Sequence, residues 1–377
     1  MRALTVEKVD GQARLAALHT GHGIIETPVF MPVGTQGAVK AVLQRDLSEM
    51  GAQMLLANAY HLYLRPGDGL IKEMGGIQRF AGWDGAVLTD SGGYQIFSLG
   101  VLRKIEEEGV TFQSHIDGSK HFLTPERIVE VQENLGADVC MCLDECVAYP
   151  SSHAYTGASA ERTTRWARRC RAAKKTPSLL FAIVQGGMYA DLRRGSAEGL
   201  LEIGFDGYAL GGFSVGEPKG VMWEMVDEVI GLLPPEKPRY LMGVGFPEDI
   251  VEGVRKGVDM FDCVIPTRHA RNGSLFTRAG RINIKHARYA TDAGPIDASC
   301  GCYACSRFSR SYLRHLFMAR ELSSYYLNTV HNLFFYMGFL RRIRASIAEG
   351  RFEEFYKTFM SEWKGGETYD GSSICDG

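Results

Sequence analysis

The sequence predicts an α/β protein whose core is a closed (β/α)8 TIM barrel, with a metal-binding cysteine cluster beyond its last strand. Three observations carry that reading. Eight short apolar, β-rich runs lie between residues 28 and 267. Segments with helical periodicity separate several of them. The cluster CGCYAC follows the last run within forty residues.

The runs, in order, are VFMPVGT, MLLANAY, AVLTDS, ADVCMCLD, LFAIVQGG, GYALGGF, RYLMGVG and MFDCVIPT. Continuous apolar runs of this length suit strands buried on both faces, as in a parallel sheet. Between them, TPERIVEVQENLG reads as a helix, with Thr124 as N-cap and Pro125 in the first helical position. Ile128, Val131 and Leu135 share one face and Gly136 stops it. FPEDIVEGVRKG repeats the design with Pro247, Ile250, Val254 and Gly257. Eight strand-then-helix units favour a closed barrel over its rival, an open doubly wound sheet.

At 377 residues and 45% hydrophobic, the chain can bury a large core. Its net charge of −2 means that any contact with nucleic acid must rest on a local patch. Nine cysteines in so long a chain do not suggest a disulfide scaffold, and several sit inside apolar runs. The opening MRALTVEKVDGQ has no signal-peptide character, so a reducing, cytoplasmic setting is expected. The stretch from Asn332 to Leu340 is too short to span a bilayer, so no membrane partner is expected. The polar, glycine-rich tail from Gly365 to Gly377 is expected to be disordered.

Asn58, Asp90, Asp144, Gln185, the Gly211–Gly212 pair, Gly243 and Asp262 all fall at or near the C-terminal end of a run. In a barrel those ends converge on the face where substrates bind. One such residue commonly caps a turn, but seven strands sharing the habit point to a site.

Cys300, Cys302 and Cys305 with one imidazole would complete a tetrahedral zinc shell, leaving no open position for catalysis. Spacing alone leaves His331 and His315 both open as the fourth ligand. Asp90 and Asp262 are candidates for paired carboxylate work, one as nucleophile and one as proton shuttle. Asp90 precedes SGGY, where glycines admit a ligand close to the backbone and Tyr94 offers a ring face. Asp262 interrupts an apolar strand, where an unpaired carboxylate is costly. Asp144 and Gln185 have the donors and acceptors to read the edge of a flat heterocycle. Arg268, Arg271, Arg278, Arg281, Lys285 and Arg288, then Arg307, Arg310 and Arg314, form a plausible phosphate-contacting surface. A second basic stretch, with Arg162, Arg165, Arg168, Arg169, Arg171, Lys174 and Lys175, reads instead as a solvated helix face.

MPVGTQ, NAYHLYLRPG, TDSGGYQIFSL, DEC, VQGG, GGFSVGE, MGVG, FDCVIPTRHARNG and CGCYAC…H occur in that order. As a set they resemble the bacterial tRNA-guanine transglycosylases, from about residue 31 to Trp363. The resemblance implies a barrel over 1–267 with an N-terminal extension, and a basic loop and inserted zinc-binding subdomain over 268–331. It further implies C-terminal helices completing the barrel over 332–364, ahead of the 365–377 tail.

The activity implied is exchange of the wobble guanine in the tRNAs for Asp, Asn, His and Tyr, read at a U-G-U anticodon core. The incoming base would be a 7-deazaguanine, 7-aminomethyl-7-deazaguanine (preQ1) in bacteria, and the enzyme usually a homodimer. By the resemblance, Asp262 is the nucleophile and Asp90 the general acid/base. Tyr94, Asp144, Gln185, Gly211, Gly212, Met242 and Gly243 line the base pocket, and Thr267, Arg268 and Arg271 face RNA. Cys300, Cys302, Cys305 and His331 match the zinc ligands, one structural zinc per chain.

The chain departs from the pattern at Phe213, where Leu is common, and at Ala59, where Thr is common. Cys146 and Val215 follow the bacterial form, which favours the small aminomethyl base over queuine. Phe308, Tyr312 and His315 suit an aromatic dimer interface or a local core. Retention of both Asp90 and Asp262 argues against a non-catalytic tRNA-binding paralogue. The pocket motifs argue against a glycosidase acting on free sugars, and no added RNA-binding domain follows Trp363 to suggest an archaeosine-type enzyme.

Overall fold

A computed structural model describes residues 3–99 and 103–363. All eight predicted runs form strands of one parallel sheet: Val29–Pro32, Met54–Asn58, Ala86–Asp90, Val139–Met141, Leu179–Val184, Gly207–Leu210, Arg239–Leu241 and Met260–Cys263. The eighth strand pairs with the first, Asp262 opposite Met31. The first and second meet through a parallel bridge between Val33 and Leu56. The sheet thus curves round into a nearly closed barrel.

Alternation along each strand sorts side chains between two cores. Met31, Met54, Leu56, Leu88, Met141, Phe181, Ile183, Ala209, Tyr240 and Met260 fill the barrel interior. Phe30, Leu55, Val87, Cys140, Ala182, Leu210 and Phe261 face the surrounding helices. An antiparallel sheet, Leu4–Asp10, Ala13–Thr20 and Gly23–Thr27, adds Leu4, Ala16, Leu18 and Ile25 to the interior cluster. It closes the barrel at the N-terminal ends of the strands, leaving the C-terminal ends as the mouth.

The helix over Pro125–Leu135 starts at Thr124, whose hydroxyl accepts from Arg127 N, and stops at Gly136. The helix Pro247–Arg255 shares the proline in its first turn but starts at Phe246 without a side-chain cap, and ends ahead of Gly257. A three-stranded antiparallel sheet, Arg103–Ile105, Val110–Gln113 and Lys120–Leu123, stands between the third and fourth barrel strands, outside the simple alternation.

After the last barrel strand come the short helix Ile265–Arg271 and the hairpin Ser274–Thr277/Gly280–Asn283. The cysteine segment with its helix Tyr303–Arg307 and the helix Arg310–Met318 complete a small third core around Leu275, Ile284, Leu313 and Leu316. One long helix, Leu322–Ala348, then runs from this subdomain back onto the barrel, carrying His331 on the way. Tyr336 Oη donates to the Gly245 carbonyl (2.6 Å), and Asn332 Nδ2 to those of Pro266 (2.9 Å) and Ser274 (3.1 Å). The position of the tail 365–377 falls outside the described residues. Among the described residues no helix is long and apolar enough to cross a membrane.

Candidate active site and metal centre

The alternation that fills the barrel also aims the site. Met260 faces the interior and Phe261 the helices, so Asp262 faces in; the same count turns Asn58, Asp90 and Gln185 inward at their strand ends. Asp90 is buried and accepts from Asn58 Nδ2 (2.7 Å) and Ala59 N (3.1 Å). Because the donor at position 59 is a backbone amide, Ala in place of Thr leaves this contact available. Burial, followed by the nearby negative charge of Asp262, pushes the Asp90 pKa up to about 8. The two carboxyls therefore share one electrostatic environment across the mouth.

Asp262 accepts from Tyr240 Oη (2.6 Å) and Gly243 N (2.9 Å), both on Oδ1. Among the described residues Oδ2 takes no hydrogen bond. Burial raises the Asp262 pKa, while these two donors act in the opposite direction.

Asp144 lies three residues past its strand, on the loop after Met141 rather than at the strand end itself. Its Oδ1 accepts from Ser91 Oγ (3.0 Å) and its Oδ2 from Gln185 Nε2 (2.8 Å). A Cβ at position 93 would meet Asp144 Oδ1 at 2.5 Å, so only glycine lets the SGGY turn approach so closely. Tyr94 beside it is 38% exposed, an aromatic face at the mouth.

Gln185 is buried, and its Oε1 has no hydrogen-bond partner. The adjacent Gly212 has φ +70°, and a Cβ there would lie 2.5 Å from that oxygen. Glu217 holds the same loop by accepting from Ser214 N (2.6 Å) and Val215 N (2.9 Å). Met242 and Gly243 complete this side, Met242 packing on the interior core and Gly243 exposed.

Arg268 and Arg271 extend from the helix just past Asp262. Arg271 Nη1 is buried without a hydrogen-bond partner, and burial with the charge of Arg268 lowers the Arg271 pKa. Lys40 joins them; burial and the charges of Arg271 and Arg268 all push its pKa down. Thr267 differs from its neighbours, being buried with its hydroxyl donating to the Val264 carbonyl (3.2 Å).

Sequence reasoning passed over Lys40, Ser91, Tyr240 and Glu217. Three of them are ordinary-looking residues whose roles depend on a strand or loop far away in the chain. The second basic stretch leaves Arg165, Arg168, Arg171 and Lys175 exposed, but several of its cations are tied to carboxylates. Arg162 forms an ion pair with buried Glu145, next to Asp144, while Arg165 pairs with Glu107 (2.7 Å) and Arg169 with Glu126 (2.7 Å).

In the subdomain, the ligand atoms of Cys300, Cys302, Cys305 and His331 all lie within 4.8 Å of one another. The three sulfurs stand 3.7, 3.5 and 3.3 Å from His331 Nδ1. Those separations suit sulfur and nitrogen around one tetrahedral ion, given metal bonds of about 2.0–2.3 Å. His331 Nε2 lies 2.7 Å from the Phe276 carbonyl. Donating there leaves Nδ1 as the free lone pair directed at the thiols, the tautomer a ligand needs. The group is fit to hold a metal ion.

A family profile described as Queuine tRNA-ribosyltransferase matches residues 10–365. The chain belongs to the queuine tRNA-ribosyltransferase family. A protein of that name from Solidesulfovibrio magneticus is 57% identical over 361 residues, covering 95% of this chain and 97% of the relative. Namesakes from Pelotomaculum thermopropionicum and Nitratidesulfovibrio vulgaris are 55% and 54% identical, each over 94% of this chain and 96% and 95% of the relatives. Membership in the queuine tRNA-ribosyltransferase family makes the chain a transferase that acts on tRNA.

Proposed function

We propose that the protein is a tRNA-guanine transglycosylase that replaces the wobble guanine of the tRNAs for Asp, Asn, His and Tyr with preQ1 by two displacements. The observation that carries the chemistry is the pairing of Asp90 and Asp262 across one mouth, close enough for the charge of Asp262 to raise the Asp90 pKa. Asp90, with its pKa near 8, carries a proton at neutral pH and is a donor. Asp262, with donors on Oδ1, keeps Oδ2 for attack.

In the first displacement an Asp262 oxygen bonds to C1′ of the ribose and the C1′–N9 bond breaks. Guanine leaves with a proton from Asp90, and an enzyme–RNA ester remains. In the second, Asp90 takes the N9 proton of the incoming 7-deazaguanine, N9 bonds to C1′, and the ester breaks. This follows the logic of retaining glycosidases, with a base in place of water.

Asp144 would accept from the N–H edge of the base, and Gln185 and the Gly212 N–H would serve its oxo group. Gly211, Met242 and Gly243 shape the pocket, and Tyr94 packs on the ring. The target nucleotide must leave its stack, at a cost of about a few kcal/mol. The mutual repulsion around Lys40, Arg268 and Arg271 is what RNA phosphates would relieve, with Thr267 anchoring the helix that carries the arginines. The U-G-U core is the expected recognition element.

The ion in the Cys3His group is taken as zinc, one per chain, closing the shell and stabilising the subdomain. Regions 1–267, 268–331 and 332–364 would act as barrel, basic and zinc-binding subdomain, and completing helices. Exposed Tyr303 and Tyr312, flanking Phe308 at 5.7 and 5.3 Å, offer an aromatic face for a homodimer. The setting proposed is cytoplasmic, where its tRNA substrates reside.

Incubation with unmodified tRNA is expected to trap a complex that survives SDS, and Asp262→Asn to abolish it. Normal exchange of radiolabelled guanine by that variant would remove the nucleophile assignment. Cys302→Ser is expected to take metal content from one ion per chain to none, by elemental analysis; unchanged content would remove the ligand set.

A further inference from the structure

Arg193 has no part in the chemistry above, yet it stands directly behind the base-reading wall. It lies on the helix Ala190–Ile203, fully buried, and among the described residues it pairs with no carboxylate. Its guanidinium donates only to carbonyls: Nε to Gly187 (2.6 Å), Nη2 to Gly211 (3.0 Å) and, more weakly, Nη1 to Val184 (3.5 Å). The Phe213 ring lies 3.8 Å from the guanidinium carbon. Burial pushes the Arg193 pKa down to about 9. A charge kept in a dry wall by carbonyl dipoles and an aromatic face, with Glu217 acting on it only through space, is costly for the fold.

The carbonyls chosen explain what that cost secures. Val184 and Gly187 bracket Gln185, and Gly211 immediately precedes Gly212. In a trans peptide the C=O and the following N–H point to opposite sides. Drawing the Gly211 carbonyl onto Arg193 therefore turns the Gly212 N–H away from it. Gly212 is also where the unpartnered Gln185 Oε1 lies: a Cβ there would sit 2.5 Å from that oxygen and 3.7 Å from Arg193 Nη2, so glycine lets both approach the same turn.

We propose that Arg193 is a positioning residue that sets base specificity, locking the Gly211–Gly212 peptide so that the Gly212 N–H meets a 6-oxo group, and fixing the Gln185 strand end beside it. It touches no substrate and acts through those two elements. Phe213, where the family commonly has Leu, gives the guanidinium a stacking face. This inference rests on the base-pocket reading given under Proposed function.

The test compares guanine with 2,6-diaminopurine, which carries an amine in place of the 6-oxo group, as competitors in the guanine-exchange assay. Wild-type enzyme is expected to favour guanine; no preference at all would sink the pocket reading itself. If wild type discriminates, Arg193→Met is expected to lower the ratio of inhibition constants about tenfold or more, the scale of one lost directed hydrogen bond. KM for tRNA should stay within about twofold, since RNA contacts lie elsewhere. Arg193→Lys keeps charge without the planar fork and should fall between. A residue with only a packing role would weaken both bases alike. An unchanged ratio in Arg193→Met, or in Arg193→Lys should the Met variant not fold by its melting curve, overturns the proposal.

Discussion

The two ends of the barrel bury carboxylates in opposite ways. At the closed end, Asp259 just before the eighth strand is fully buried and paired with Arg14, and it also accepts from Arg239 N (2.8 Å). Asp138, just before the fourth strand, takes four hydrogen bonds, from His22 N, His22 Nδ1, Gln78 Nε2 and Val87 N. At the mouth, Asp90, Asp144 and Asp262 form no ion pair among the described residues, and burial raises the pKa of each. The same residue type is a structural tie at one end and, in the mechanism proposed above, a reagent or base-reader at the other. Burial raises the pKa of Asp259 as well, and what sets it apart from the three at the mouth is its ion pair with Arg14.

Substitutions at the two ends should therefore fail in opposite senses. Asp262→Asn is expected to cost on the order of 10⁴-fold or more in exchange rate, as for loss of a nucleophile, with a melting temperature equal to or above wild type. Asp259→Ala should do the reverse. Leaving Arg14 buried without its partner costs about 3–5 kcal/mol, read as a lower melting temperature, while base exchange by the remaining folded enzyme persists. If both variants lost stability and activity together, the contrast between the ends would fail.

Acidity sharpens the comparison further. The Asp90 pKa is raised in the fold, so the native state binds the extra proton and ionisation opposes folding. Its stability cost is absent below the unfolded value near 4 and accrues as pH rises towards about 8. Asp90→Asn should then melt above wild type at pH 8–9 and converge with it near pH 4. Trapping of the covalent complex by wild type should decline as pH passes through about 8, as the proton donor is lost. A smaller effect is expected for Asn58→Ala. Removing the 2.7 Å donor to Asp90 should move that upper limb to higher pH by about one unit; an unmoved profile would dissociate Asn58 from the proton shuttle.

The barrel was legible because its strands are buried on both faces and read as unbroken apolar runs. The antiparallel strands Leu4–Asp10 and Arg103–Ile105 were not, since they alternate or lie largely exposed and look like loop. Asp262 and Asp90 stood out as charges at strand ends, whereas Asp144 reaches the site from a loop whose path no periodicity encodes. Arg193 and Arg194 are adjacent and indistinguishable in type, yet one is buried and the other pairs with Glu228 at the surface (2.7 Å). The usable signal was spacing: Arg193 shares a helix face with buried Ala197 and Leu200. The partners of the mouth arginines, such as Lys40, depend on a contact more than two hundred residues away in sequence.

The helix Leu322–Ala348 gives the metal centre reach. It holds His331, and within a turn of it Asn328 and Asn332 donate to carbonyls of the helix bearing Arg268 and Arg271. Asp90 and Asp144 hang from other strands and have no such tether. Loss of an ion from the Cys3His group would thus loosen the helix bearing Arg268 and Arg271 before it disturbed the carboxylates at the mouth.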